Sequence, residues 1–470
     1  MASTYINRAF TSAGNQKIWT LSGWFKRSLK SGTDYIFCYA QTVGGGSSNR
    51  GYISFNGTGS SNQNLRLGFN PTGSSWTEYD VQEGSTIMDL RDTHGWYHVV
   101  IAVDTTQATA TNRIKVYING VQRDLSGSPS QNFDTGFNAN GYTHEFGSYP
   151  AGRANGYYDG SMSHLHFIDG TQYQASDFGS TDSTTGEWKI NTSPSVTYGT
   201  NGFFILKDGN SVTDQSGNSN NFTVAGGTLT NTEDCPSNVF ATFNPLIYYG
   251  GTRPDFSNGN TAIRANGNGN YGEAVSTLGM PKSGKFYAEF KRYQNDATFA
   301  VGVGDMPSII EALRTNTQIF NTSFSGHCAV RIDGSINRTG QEFSNFFSSG
   351  IANGDIVGIA IDLDNGAFYA HKNGTYGAVS SVTGVPTSGS SKTGAIDLSG
   401  DSWWTNSSDI CFLFGATSGG GWDGCDANFG NGYFGTTAIS SEGTNASGIG
   451  KFEYDVPTGY TALSTKGLNE

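Results

Sequence analysis

Charge is scarce in this sequence: only 14% of its 470 residues are Asp, Glu, Lys or Arg, and no cluster of Lys and Arg offsets a net charge of −12. A phosphate backbone is held by cationic contacts, so nucleic acid is not an expected partner. Long apolar runs are also missing. Nothing approaches the roughly 20 residues that span a bilayer, and the opening stretch MASTYINRAF lacks the apolar core of a signal peptide. No membrane insertion is expected, and the expected place of synthesis and residence is the cytoplasm. The five cysteines, Cys38, Cys235, Cys328, Cys411 and Cys425, show no C-x-x-C spacing, which argues against a zinc knuckle and a disulfide framework. A Cys411–Cys425 pair across neighbouring strands stays open beside ordinary buried thiols.

What the sequence has is glycine and rings. Gly accounts for 66 residues and aromatics for 13%, a balance that suits short strands joined by tight turns and supplies more apolar surface than a disordered chain carries. Helical spacing is confined to Pro307–Arg314 (PSIIEALR), where Pro precedes apolar residues in a first turn. One pattern occurs twice. Gly95–Gln122 and Gly354–Gly374 each run from a Gly into an alternating strand that ends in Asp (Asp104, Asp362), then into a second strand that closes on Asn-Gly (Asn119-Gly120, Asn373-Gly374). Such pairs mark antiparallel sheet.

At this length two cores are expected rather than one. Strand patterns at Thr20–Arg27, Tyr35–Tyr39, Gly51–Phe55, Leu65–Phe69 and Gly160–Gly170 build the first half; Lys285–Arg292, Thr298–Val303, Cys328–Ile332, Ile410–Phe414 and Asp426–Gly430 build the second. The expectation is an all-β chain: two antiparallel β-sandwich domains in tandem over 1–210 and 259–470, with a connector at 211–258. Trp24, Trp96, Tyr117 and Phe368 lie inside strand patterns and are expected in the cores or on sheet faces.

The motifs WTLSGWFKR (Trp19–Arg27), GWYHVVIAVD (Gly95–Asp104), RIKVYINGVQ (Arg113–Gln122) and YDGSMSHLHFIDG (Tyr158–Gly170) resemble the laminin-G/concanavalin-A-like jelly roll. In the second half GKFYAEF (Gly284–Phe290), AVGVGD (Ala300–Asp305), the long Gly354–Gly377 stretch and ANFGNGYF (Ala427–Phe434) resemble a SPRY domain. The connecting motifs DGTQYQASDFG, TTGEWKIN, YGTNGFFILK, DQSGNSNNFT, DCPSNVFATFNPL and the closing VPTGYTALSTKGL are similar to those of tailed-phage virion proteins. Together the resemblances cover most of the chain. They imply a non-enzymatic structural protein of the virion surface, a tail-fibre or capsid-fibre/decoration component, assembled in the host cytoplasm. Its implied partners are other virion proteins, host surface glycan and further copies of itself. The alternative is a carbohydrate-active enzyme or its binding module.

Sugar binding calls for exposed rings beside amides and carboxylates, because pyranose faces stack while hydroxyls bond directionally. Trp76, Tyr79, Tyr142, Tyr149, Trp403, Trp404 and Trp422 are the carbohydrate-binding candidates; subunit contact or partial burial is the competing reading of such rings. No catalytic residues are assigned. Glycosidases on the jelly-roll fold set acids at alternate positions of one strand; Glu273 and Glu289 stand isolated, and Asp362 with Asp364 sits at a turn. The seven histidines fall in no H-E-x-x-H or other nucleophile signature, and His164 with His166, alternating on one strand face, is expected to be a surface stripe rather than a shared metal site. No cofactor is expected; the resemblance leaves calcium open, with Asp104, Asp124, Asp134 and Asp159 in or beside loops but no defined ligand set.

Overall fold

The computed structural model describes residues 4–28, 32–45, 49–57, 64–152, 156–207, 209–249, 253–265, 271–294, 298–320, 324–338, 341–417 and 424–469. It is built almost wholly of antiparallel strands and divides into two units, Met1–Asn231 and Thr232–Glu470. The 211–258 segment is not a free connector. Its first part closes the first unit, where Thr223–Gly226 pairs with Tyr5–Ala9, and its second part opens the next, where Phe243–Tyr248 pairs with Tyr271–Ser276. The motif DQSGNSNN explains the first of these attachments. Asp214 accepts from Phe204 N, Ser216 N, Ser216 Oγ and Asn220 N at 2.8 Å each, so a polar stretch is tied to the strand Phe203–Ile205 by one carboxylate.

In the first unit the strands follow one continuous path folded over a shared core. One leaf holds Phe203–Ile205, Gly160–Asp169, Ile18–Arg27, Tyr97–Asp104, Ile114–Ile118 and Val121–Leu125; the other continues through Thr77–Glu83, Asn64–Asn70, Arg50–Gly57, Gly32–Ala40, Thr143–Phe146 and Tyr5–Ala9. Trp19, Leu21, Val99 and Ile101 from one leaf meet Phe37, Ile53, Leu67 and Phe69 from the other. Alternation, with period two, decides which face each side chain takes.

The second unit is built on two large sheets. Tyr271–Ser276, Ile410–Thr417, Thr298–Asp305 and His327–Arg331 form the centre of one; Gly424–Asn428, Lys285–Tyr293, Ile356–Asp362 and Ala367–Lys372 form the centre of the other. Cys411 and Cys425 therefore lie in different sheets, and all five cysteines are free thiols. The expected helix is present as Met306–Arg314; its N-cap Asp305 accepts from Ser308 N at 3.2 Å, and it buries Ile309, Ala312 and Leu313.

The twin motif has the same construction in both units. Asn119 and Asn373 take positive φ (48° and 49°), the following glycines 79° and 83°, as a two-residue hairpin turn with right-handed twist requires. Each Asn then reaches across to the strand before: Asn119 Oδ1 accepts from His98 N and Asn373 Oδ1 from Ile356 N, both at 2.8 Å. The strand-ending acids are turn chemistry. Asp104 accepts from Thr106 and Gln107; Asp362 accepts from Asn365 and pairs with Lys285 at 2.9 Å. Replacing either Asn by Ala removes a backbone-directed bond and forces an alanine into a left-handed turn. Each variant is expected to lose about 2 kcal/mol from its own unit, seen as a lower urea midpoint, with Asn→Gly losing less.

Candidate functional site

Four neighbouring strands of the first unit send alternate residues outward, with one register shift between Tyr35 and Phe37 that buries both Ile36 and Phe37, and the outward residues converge on one strip of sheet surface. Phe37, Ile53, Phe55, Leu65, Leu67, Phe69 and Val81 point into the core. Their neighbours Tyr35, Arg50, Tyr52, Arg66, Gly68, Glu78 and Asp80 are registered on the other face: Tyr35 opposite Ser54, Ser54 opposite Arg66, Arg66 opposite Asp80, Tyr52 opposite Gly68 and Gly68 opposite Glu78. Trp76 enters this strip at the start of its strand and Tyr149 from the loop that follows Thr143–Phe146.

The rings form a connected platform. Tyr149 stacks on Tyr35 at 4.8 Å and 16°, Tyr35 meets Tyr52 edge-on at 5.6 Å, and Tyr52 meets Trp76 at 5.1 Å. Two glycines make room for it. A Cβ on Gly68 would stand 2.5 Å from the Tyr52 ring, and one on Gly156 would stand 2.2 Å from the Tyr35 ring. Trp76 is 37% exposed, and Tyr35, Tyr52 and Tyr149 are half-buried. Burial, reinforced by Cys38 and Glu78, pushes the Tyr35 hydroxyl up to about 12, so it is a neutral donor and acceptor across the physiological range.

Polar groups frame the rings. Arg50 lies over Trp76 at 5.2 Å and hydrogen-bonds the Tyr149 hydroxyl. Arg66 holds Asp80 bidentately (2.7 and 3.1 Å) and stands 3.9 Å from Glu78, which accepts from the Tyr52 hydroxyl. Apolar ring faces, two guanidinium groups and two carboxylates thus share one surface.

Of the sequence candidates, Trp76 and Tyr149 belong to this platform. Tyr79 does not: period two turns it into the core between Glu78 and Asp80, where it is 7% exposed. Tyr142 is half-buried, stacks on Tyr39 at 5.9 Å and accepts from Asn49. Trp403 and Trp404, expected in an exposed loop, form the short helix Ser402–Asn406 and are buried in the core of the second unit. Trp422 lies outside the described residues. The sequence reading missed Tyr35, Tyr52, Arg50, Arg66, Glu78 and Asp80. The patterns GYISF, LRLGF and TEYDVQE place Tyr52, Arg66, Gly68, Glu78 and Asp80 at alternate positions, and Glu78 with Asp80 has the alternate-acid spacing that Glu273 and Glu289 lack.

The other polar candidates are engaged elsewhere. Glu273 accepts from Ile319 N, and Glu289 from Tyr287, Asn428, Glu453 N and Tyr454 N. A bulge with positive φ at His164 breaks the expected stripe; His164 and His166 both pack on Phe204, with Ser163 and Tyr198 as their hydroxyl partners. Asp104 is held in its turn, Asp124 is exposed, Asp134 is 3.6 Å from Lys17 and Asp159 accepts from Ser28. Among the described residues no group of three or more His, Cys, Asp and Glu is placed to hold a metal ion.

No protein-family model matches the chain, and no curated protein matches it. Among solved structures it is similar to the SPRY domain of human HERC1, at 15% identity over 39% of this chain and 96% of that one, with a TM-score of 0.28. It is similar to the CBM40 of a Ruminococcus gnavus IT-sialidase bound to alpha2,3 sialyllactose, at 10% identity over 34% and 89%, with a TM-score of 0.23. Tailspike protein 2 of bacteriophage CBA120 matches at 13% identity over 37% of this chain and 25% of that one, with a TM-score of 0.27. Likeness at this level says nothing about activity, so the function rests on the residues themselves.

Proposed function

We propose that this chain is a non-enzymatic surface protein of a tailed-phage particle, on a tail fibre or the capsid, that adheres to glycan through the Tyr35–Tyr52–Trp76–Tyr149 platform. The platform is the observation that carries this reading. The exposed Trp76 indole, with Tyr52 beside it at 5.1 Å, supplies an apolar ring surface for a pyranose to stack on, and Arg66, Asp80 and Glu78 lie alongside as donors and acceptors for its hydroxyls. The order of connecting motifs supports the virion setting. Purified protein is expected to be retained on immobilised host-surface polysaccharide, and the Tyr52→Ala variant, which removes the central ring while the core-facing residues stay in place, is expected to pass through. Equal retention of the two proteins would move adhesion away from this platform. Absence of the chain from purified particles would remove the virion setting.

One observation favours a second reading, glycan hydrolysis. Glu78 and Asp80 stand two residues apart on one strand, on the same face as the rings. Paired carboxylates are what a glycosidase needs, but here Asp80 is clamped by Arg66 and Asn64 and Glu78 is bound by Tyr52. Release of reducing ends by the wild-type protein, lost in Glu78→Gln, would establish hydrolysis in place of simple adhesion.

A further inference from the structure

We infer that the ligand of this platform is an uncharged oligosaccharide, longer than one sugar, laid across the strands from Tyr35 to Trp76; the inference rests on the glycan-binding reading above. Length comes from the sheet. The strip runs from the Gly32–Ala40 strand through Arg50–Gly57 and Asn64–Asn70 to Thr77–Glu83, three strand spacings or about 14 Å. A single pyranose covers only part of that distance. The rings are also distributed along it rather than gathered at one point: Tyr35 to Tyr52 is 5.6 Å and Tyr52 to Trp76 a further 5.1 Å. The bare backbone at Gly68 lets the Tyr52 ring lie flat over the third strand, which keeps the strip continuous between the second and the fourth.

The charge of the ligand follows from the balance on the strip. Arg66 faces Glu78 and Asp80 and is matched to Asp80 by two hydrogen bonds, while Arg50 lies over Trp76. An acidic sugar would set its carboxylate beside Glu78, which is exposed, on a chain whose net charge is already −12. Uncharged hydroxyls meet no such repulsion, because a hydroxyl can donate to a carboxylate lone pair left over by the existing bonds and can accept from a guanidinium N–H.

The test is calorimetric titration of the full chain with two series of ligands. One series holds neutral glucans and galactans from monosaccharide to hexasaccharide; the other holds oligomers of alginate and polygalacturonate. Affinity for the neutral series is expected to rise about ten-fold from monosaccharide to trisaccharide and then level off. Trp76→Ala, at an exposed position, is expected to lower trisaccharide affinity about ten-fold while leaving the thermal midpoint in place. Binding of the acidic series alone, or equal affinity for monosaccharide and trisaccharide, would overturn the inference and leave the glycan-binding reading intact. Failure to bind either series would overturn both.

Discussion

Acidification from about pH 7 to about pH 5 is expected to unfold the Met1–Asn231 unit before the Thr232–Glu470 unit, because burial holds three histidines of the first unit in the neutral form. Burial pulls His98 and His144 down to about 3 and His166 well below the ordinary range. Hydrogen bonding tells the same story independently. His98 Nδ1 accepts from the Trp188 indole at 2.9 Å while its other nitrogen meets Ser22, and His144 Nε2 accepts from Asn138 N at 3.0 Å. A proton added to either ring would have to displace an N–H that already points at the site. The unfolded chain has no such constraint and takes up these protons near pH 6.5, so stability is lost as the pH falls below that value. At about pH 5 each locked histidine costs about 2 kcal/mol, and three cost about 6, a large share of what a domain has.

The second unit also holds two such rings, His327 drawn down to about 4 and His371 to about 3, but it carries two groups of opposite sense. Burial raises Glu273 and Glu289 to about 7 each, against backbone donors that lower them. Between about pH 4.5 and 7 the folded chain holds protons there that the unfolded chain has released, so these two contribute stability on the acid side that is lost as the pH rises through 7. The opposed contributions are of similar size, and the pH dependence of this unit is expected to be shallow. Hydrogen exchange resolved by peptide, followed from about pH 7.5 to 4.5, separates the units. Earlier loss of protection in the second unit, or none in the first, would contradict the assignment.

How much of this was legible depended on whether the chemistry is local. The Asn119-Gly120 and Asn373-Gly374 turns, with Asp104 and Asp362 before them, carry their geometry in adjacent residues and mark paired antiparallel strands in sequence and structure alike. The helix at Met306–Arg314 was visible for the same reason. The platform depends on which residues four separate strands bring opposite one another, and that register is a property of pairing, not of any one segment. Trp76 in its polar loop and Tyr149 near Gly-rich turns are legible as candidates; Tyr52, the ring that joins them, is hidden inside a strand pattern that explains it as sheet. Tyr79 shows the limit most plainly, since a one-residue step separates a core ring from the Glu78 and Asp80 carboxylates. Polar surroundings misled at Trp403 and Trp404, where Asp401 receives two bonds from Arg338 and a short helix folds both indoles inward.

Removing Glu289 is expected to cost more stability than any other single truncation considered for the second unit, and to do so by releasing one segment. The carboxylate stands on the outward face of Lys285–Tyr293, fully buried, and accepts from Tyr287 Oη (3.0 Å), Asn428 Nδ2 (3.2 Å), Glu453 N (2.9 Å) and Tyr454 N (2.8 Å). His371 completes the network. Gly374 N donates to its Nδ1, so Nε2 carries the hydrogen and donates to Tyr287, whose own hydrogen goes to Glu289. Phe452, Val456 and Tyr460 pack beside this network on Tyr287 and Tyr369, so the C-terminal segment is held to the sheet by an apolar contact and by two backbone N–H groups that donate to Glu289. Glu289→Ala deletes the acceptor and leaves those donors buried, a loss of about 4 kcal/mol. Glu289→Gln keeps one acceptor oxygen but turns an amide nitrogen toward remaining donors, and is expected to lose about half as much. Hydrogen exchange should rise first across residues 440–456, with the Ile356–Asp362 strand still protected. Unchanged protection of 440–456 in Glu289→Ala would show that the apolar contact alone holds the segment, and the hydrogen-bonded carboxylate would then be a consequence of that docking rather than its cause.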